Sequence, residues 1–159
     1  MFDLRSALRH GVIIGLAVAS SLTTAWAMDR IDGRVGGQAQ AAIARADDGH
    51  YWTQAMVDGR PVRMLIDTGA SVVALTRQDA AALGLSPAAD QFTVTVQTAA
   101  GAARAAPVQL SQIAVGEARV ERVTALVVEE GLPHSLLGMS YLGRLNGFQA
   151  GPDGLTLSL

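Results

Sequence analysis

At 159 residues the chain has room for one domain with a buried core, not for two. Its formal net charge is −2 and all its cations are Arg, with no basic run or patterned patch to suggest nucleic acid, while the acidity is too slight to imply a cationic partner. Cysteine is absent, which excludes disulfides, thiol catalysis and thiolate metal sites, and the Ala- and Gly-rich, aromatic-poor composition predicts a small-residue core built of strands.

Residues 1–27 read as a targeting segment. Arg5 and Arg9 form a positive start, Gly11 to Ala19 an apolar core, and Ala25-Trp26-Ala27 a small-x-small cleavage site. A cleaved signal is expected. The alternative is a membrane tether through residues 11–27, which Ser20, Ser21, Thr23 and Thr24 make a poor spanning helix. Either places the domain in the periplasm or cell envelope. Residues 28–49, with Gly36-Gly37 and the Ala/Gln tract, read as a flexible linker, or at most a short helix around Ala39 to Ala46.

The folded domain is expected over 50–159. Tyr51 to Val57 is a strand, Asp58-Gly59 a hairpin turn, and Pro61 to Ile66 the returning strand. Thr76 with Asp79 resembles a capping box for a short helix from Arg77 to Leu83, with Gly84 just past its end. Gln91 to Thr98 alternates, Ala99 to Ala102 is a small-residue tip, and Arg104 to Leu110 returns. Ile113 to Val115, a Gly116-Glu117 turn and Val120 to Val128 continue the all-β pattern. Met139 to Leu145 then reads as a helical turn or two, and Phe148 and Leu155 to Leu159 as a last alternating strand.

The most informative stretch is Met64-Leu65-Ile66-Asp67-Thr68-Gly69-Ala70-Ser71. Apolar residues on both sides place Asp67 at a strand-to-loop junction inside the fold, where a carboxylate needs a partner because desolvating its charge costs several kcal/mol. The Thr68 and Ser71 hydroxyls and the Gly69 N–H are the candidates. An Asp-(Ser/Thr)-Gly tripeptide alone is weak, since it occurs by chance in roughly a tenth of chains this long. Its setting between two apolar runs is what makes it specific.

Across residues 50–159 the sequence resembles the retropepsin-like aspartic proteases, and among them the bacterial single-domain, exported or membrane-tethered members. The matching pieces come in order: the hairpin into the Asp67 loop, a hairpin tipped at Ala100, Gly101 and Ala102 where the family has its flap, and Leu136-Leu137-Gly138 where it has the strand beneath the active-site loop. Arg104 departs from the family's flap pattern. The resemblance implies an all-β, closed or partly open barrel with one or two short helices. It also implies an aspartic endopeptidase of peptide or unfolded-protein substrates, needing no metal or cofactor, with Asp67 catalytic and Thr68, Gly69, Ala70 and Ser71 supporting it.

Such an enzyme uses two carboxylates that share one proton because they lie too close for both to ionise. This chain has one Asp-(Ser/Thr)-Gly, so the resemblance implies a homodimer, with the terminal strand Leu155 to Leu159 interleaved at the interface. A non-catalytic peptide-binding or dimerisation module of the same fold is the competing reading. His50 and His134 lack a second ligand at metal spacing, Ser71 and Ser135 lie in no nucleophile elbow, and Trp52 reads as core or dimer contact.

Overall fold

The computed structural model describes residues 40–151 and 154–159. The targeting segment and most of the expected linker lie outside them. Within the described residues β1 (Gln40–Ile43), β2 (Trp52–Val57), β3 (Arg60–Ile66) and β4 (Val73–Leu75) precede the short helix α1 (Arg77–Ala82) and a 3-10 turn at Ala89–Gln91. There follow β5 (Val94–Thr98), β6 (Gly101–Val115), β7 (Ala118–Val128), β8 (Ser135–Leu137), the helical turn α2 (Met139–Leu142), β9 (Gly147–Gly151) and β10 (Gly154–Ser158).

Six strands in the order β2-β3-β8-β4-β7-β6 close into a barrel through β2–β6 pairing, with β5 carried outside on β6. The seam depends on the first hairpin turn. Asp58 and Gly59 both take positive φ (47° and 81°), as a two-residue turn of this hand requires, and Asp58 then bonds Gln112 twice. Its N–H donates to the Gln112 carbonyl at 3.1 Å and its Oδ1 accepts the Gln112 N–H at 2.8 Å. One residue thus turns the hairpin and welds the barrel.

Small residues and aliphatics fill the interior: Ala55, Val57, Met64, Val73, Leu75, Leu110, Ile113, Val123 and Leu137 are buried in one cluster. β6 is a single 15-residue strand, where the sequence suggested separate segments at Arg104–Leu110 and Ile113–Val115. The break the sequence shows is real but lies in the ladder. Register skips Ser111 opposite Arg122, whose φ is 50°, and the Arg144 guanidinium donates to the exposed carbonyls of Glu121 and Arg122.

Two expectations are corrected. Gln40–Ile43 is a strand, not linker or helix, because Ala41 and Ile43 alternate into the core against Leu157 and Leu155 of β10. The C-terminal segment is a hairpin of two strands, and β10 lies in the middle of the three-stranded sheet β1-β10-β9. The helix α1 has the expected ends: Thr76 caps it by accepting the Asp79 N–H at 3.0 Å, and Gly84 follows at φ 84°.

Tyr141 of α2 is fully buried and donates its hydroxyl to the Ala118 carbonyl at 2.7 Å. Burial pushes its phenol up to about 12 from an ordinary value near 10. The folded state therefore holds this proton more tightly than the unfolded chain, so the associated stability is intact below pH 10 and is lost as pH rises toward 12. Denaturant titrations across pH 9–12 should show that decline. Tyr141→Phe should flatten it while costing about 1–2 kcal/mol at neutral pH through the unpaired Ala118 carbonyl.

Candidate active site

Asp67 follows β3 directly, and β3 runs parallel to β8 with Ile66 opposite Leu137. The loop that Asp67 opens is fixed at three points. At its start the Asp67 N–H donates to the Leu137 carbonyl at 3.2 Å, and at its middle the Met139 N–H donates to the Ala70 carbonyl at 2.8 Å. At its exit the Val73 N–H donates to Ser140 Oγ at 2.9 Å, and that hydroxyl donates in turn to the Thr124 carbonyl on β7 at 2.7 Å.

Gly138 permits this contact. A Cβ built there would lie 2.3 Å from the Val72 carbonyl oxygen and 2.7 Å from that of Ala70, so the loop backbone rests where any other residue's side chain would begin. Leu137 and Gly138 thus lie against the Asp67 loop, Leu137 through its carbonyl and Gly138 by having no side chain, while Leu136 is paired with Leu65 and Ala74 and packs against the second apolar cluster.

The carboxylate itself is half-buried rather than enclosed. Asp67 Oδ1 accepts the Gly69 N–H at 2.8 Å, closing a small turn, and a Cβ on Gly69 would stand 3.1 Å from that oxygen. Of the three expected partners only this N–H is used; among the described residues the Thr68 and Ser71 hydroxyls make no hydrogen bond to Asp67, and Thr68, Gly69 and Ser71 are exposed. Ala70 closes the turn by donating its N–H to the Asp67 carbonyl at 3.2 Å. A single chain therefore presents one positioned carboxylate on a rim of small residues.

The hairpin tip turns at Ala99-Ala100. Thr98 Oγ1 accepts the Ala100 N–H and donates to the Gly101 carbonyl, and Gly101 at φ 113° starts β6, with Ala102 exposed beside it. A Cβ on Gly131 would be 3.5 Å from both Ala100 and Thr98, so the tip lies close to the loop between β7 and β8. Arg104 lies on the exposed face of β6. Its neighbours Ala103 and Ala105 are buried, while its guanidinium pairs with Glu129 at 3.1 Å and donates to the Ala89 carbonyl at 2.7 Å. Inside the hairpin Ala74, Ala103, Ala105 and Val128 form a second apolar cluster, bordered by partly exposed Val96, Leu126, Leu132 and Leu136.

Ser135 and Asp79 were not singled out as supports, yet they lock the far end of β8. Ser135 Oγ accepts the Thr76 N–H at 3.0 Å and donates to Asp79 Oδ2, which also accepts from Thr76 Oγ1 at 2.9 Å. A polar residue directly before Leu136-Leu137 was the available signal; Ser140 offered none. His134 stacks edge-on against Trp52 at 4.9 Å, and the Arg63 guanidinium lies 4.4 Å over the indole ring. Trp52 donates its indole N–H to Asp48 at 2.8 Å, and the His50 N–H, followed by this indole, holds the Asp48 carboxyl below its ordinary range. Trp52 is thus a half-exposed stack rather than core. A polar surface pocket of about 440 Å³ opens beside it, bounded by Arg63, Arg77, Asp79 and Glu130; Asp67 does not line it.

Gly138→Ala should displace the Asp67 loop and cost about 2–4 kcal/mol, because the added methyl meets the backbone of Val72 and Ala70 and no flexible side chain is there to yield. Thermal unfolding checks it. Ser140→Ala should be milder, about 1–2 kcal/mol, leaving the Val73 N–H and Thr124 carbonyl unpaired.

The family described as "gag-polyprotein putative aspartyl protease" matches residues 53–144. An uncharacterized protein in the cobV 5′ region of Sinorhizobium sp. is 46% identical over 122 residues, covering 76% of this chain and 52% of that protein. The uncharacterized protein RP867 of Rickettsia prowazekii (strain Madrid E) is 39% identical over 116 residues, covering 73% and 50%. The chain spans about half the length of these curated relatives. The crystal structure of a retropepsin-like aspartic protease from Rickettsia conorii matches with a TM-score of 0.67 and 38% identity over 74% of this chain and 89% of that one. The EIAV protease complexed with the inhibitor HBY-793 matches with a TM-score of 0.54 at 18% identity, over 66% and 96%, which bears on the fold. Since residues 53–144 take in the Asp67 loop and every strand that braces it, and the likeness to the Rickettsia conorii structure extends over most of both chains, this chain belongs to the retropepsin-like aspartic protease family.

Proposed function

We propose that the protein is an aspartic endopeptidase that cleaves extended or unfolded polypeptides with two Asp67 carboxylates, one from each of two copies of the chain. The observation that carries this reading is the state of Asp67 in the single chain. One oxygen is held by the Gly69 N–H, the rest of the carboxylate is half-exposed, and small exposed residues surround it, so a second copy could approach without steric conflict.

In this reading the paired carboxylates hold one proton and titrate as a unit. The ionised Asp67 takes a proton from a water lodged between the two, and the resulting hydroxide adds to the scissile carbonyl carbon. The partner's Asp67, protonated, donates to the carbonyl oxygen. The first Asp67 then passes its proton to the amide nitrogen while the partner's Asp67 takes one from a hydroxyl of the tetrahedral intermediate, so the C–N bond breaks, an acid and an amine leave, and one proton again lies on the pair. Fixing the loop at Leu137, Met139 and Ser140 supports this chemistry, because carboxylates held in place need no reorganisation as charge moves. The partly exposed side chains of Val96, Leu126, Leu132 and Leu136 favour substrates with apolar side chains. Residues 1–27 are assigned to export, by cleaved signal or by tether, and the site of action to the periplasm or cell envelope.

Asp67→Asn should fold and assemble normally but lower peptide hydrolysis by roughly a thousandfold or more, since an amide neither accepts the water proton nor shares one. Excess Asp67→Asn chains mixed into wild type should suppress activity through inactive heterodimers, and specific activity should fall on dilution. Activity per chain that holds constant in a species monomeric by light scattering would overturn the shared site. For export, mass spectrometry of the native protein should find a mature chain starting near Met28; an intact Met1 in the membrane fraction would replace the cleaved signal by a tether.

A further inference from the structure

The family resemblance hands the dimer contact to the terminal strand, but here that strand has no edge to give. β10 is bonded to β1 on one side and β9 on the other, with Leu155 and Leu157 buried. The unpaired edge near the chain's end belongs to β9 instead. Gly147–Gly151 carries no charge and no proline, the usual devices by which an edge strand avoids pairing, and four of its five residues are exposed.

The side chains point the same way. Cross-strand register places Ala41, Leu157 and Phe148 in one row and Ile43, Leu155 and Ala150 in the next, all on one face of the sheet. The first two members of each row are buried. The third members stand clear: Phe148 is 37% exposed and, with Met56, is one of two exposed large apolar side chains among the described residues. The core-facing surface of this sheet therefore runs past the end of the chain's own core at β9.

We infer that β9 pairs with β9 of a second copy, antiparallel about a two-fold axis at Gln149, to make a continuous six-stranded sheet. This rests on the proposed dimeric protease and supplies its missing contact. The register suits the sequence. With Gln149 on the axis, Phe148 lies opposite the partner's Ala150 and Gly147 opposite the partner's Gly151, so each large residue meets a small one and the strand is its own complement. The row Ala41, Leu157, Phe148 then continues through the partner's Ala150, the partner's Leu155 and the partner's Ile43. β9 also follows within a few residues of α2, whose Met139 N–H holds the Ala70 carbonyl, so the contact joins directly to the support of the Asp67 loop.

The chain is free of cysteine, so one introduced thiol per chain reports on one position. Gln149→Cys, exposed and on the axis, should form a disulfide-linked dimer almost completely under mild oxidation, since directly opposed residues in an antiparallel pair sit about 4.5–5.5 Å apart. Thr156→Cys, on β10, should remain uncrosslinked, being one strand spacing further out on each side, so that the two thiols would be three spacings, about 14 Å, apart. Phe148→Arg should keep its circular dichroism yet weaken the dimer about tenfold or more by sedimentation, with activity recovering at high chain concentration. Crosslinking at Thr156 but not Gln149, or a Phe148→Arg variant that dimerises as tightly as wild type, would overturn the pairing. Asp67-dependent proteolysis by a dimer that Gln149→Cys does not trap would overturn it while leaving the protease standing; a Gln149-trapped dimer without Asp67-dependent proteolysis would uphold the pairing and remove the protease reading.

Discussion

The structure turns on the contact between Gly138 and the carbonyls of Ala70 and Val72. At 2.3 Å and 2.7 Å from where a side chain would start, the loop backbone occupies the volume that every other amino acid needs. That approach lets the Met139 N–H reach the Ala70 carbonyl and brings Ser140 within reach of the Val73 N–H. Without it, the turn that Asp67 and Gly69 form would be a local motif on an exposed loop. With it, the carboxylate is referred to β8, α2 and β7 together, and through them to the closed barrel.

Around this contact polar side chains serve as fasteners in a core otherwise made of small aliphatics. Ser140 joins the loop exit to β7, Ser135 and Asp79 join β8 to the start of α1, and Asp58 joins the first hairpin to β6. Ser140, Ser135 and Asp58 each bond backbone groups at places where the regular ladder stops, and Asp79 holds the Ser135 hydroxyl in place. Unpaired donors and acceptors there would cost about 1–3 kcal/mol apiece. The elements thereby fixed are those that converge on Asp67.

Much of this was legible in the sequence, and for identifiable reasons. Asp58-Gly59 demands positive φ and so declares a hairpin; Thr76, Asp79 and Gly84 declare both ends of α1. Asp67-Thr68-Gly69 between apolar runs, followed in order by Leu136-Leu137-Gly138, located the two strands that meet at the carboxylate. What escaped depends on contacts distant in sequence. Gln40–Ile43 is only weakly strand-like, and becomes a strand because β10 offers it an edge and the core accepts Ala41 and Ile43. The skip at Ser111 and Arg122 interrupts the pairing ladder but not the strand, so a continuous strand looked like two. Arg104 looked like an intrusion at the tip and proves to be outward-facing, because a strand alternates its faces and Ala103 and Ala105 take the inner one.

Exposure of Asp67 in the single chain has an energetic logic on the proposed reading. When a second copy covers two such carboxylates, desolvation together with a like charge close by forces a proton onto the pair. Assembly and the acid–base state needed for hydrolysis would then be one event, so an isolated chain would carry a correctly positioned but inert carboxylate. The covering contact can also be modest, since the loop is already rigid in each copy and little conformational entropy remains to be lost when two such loops meet.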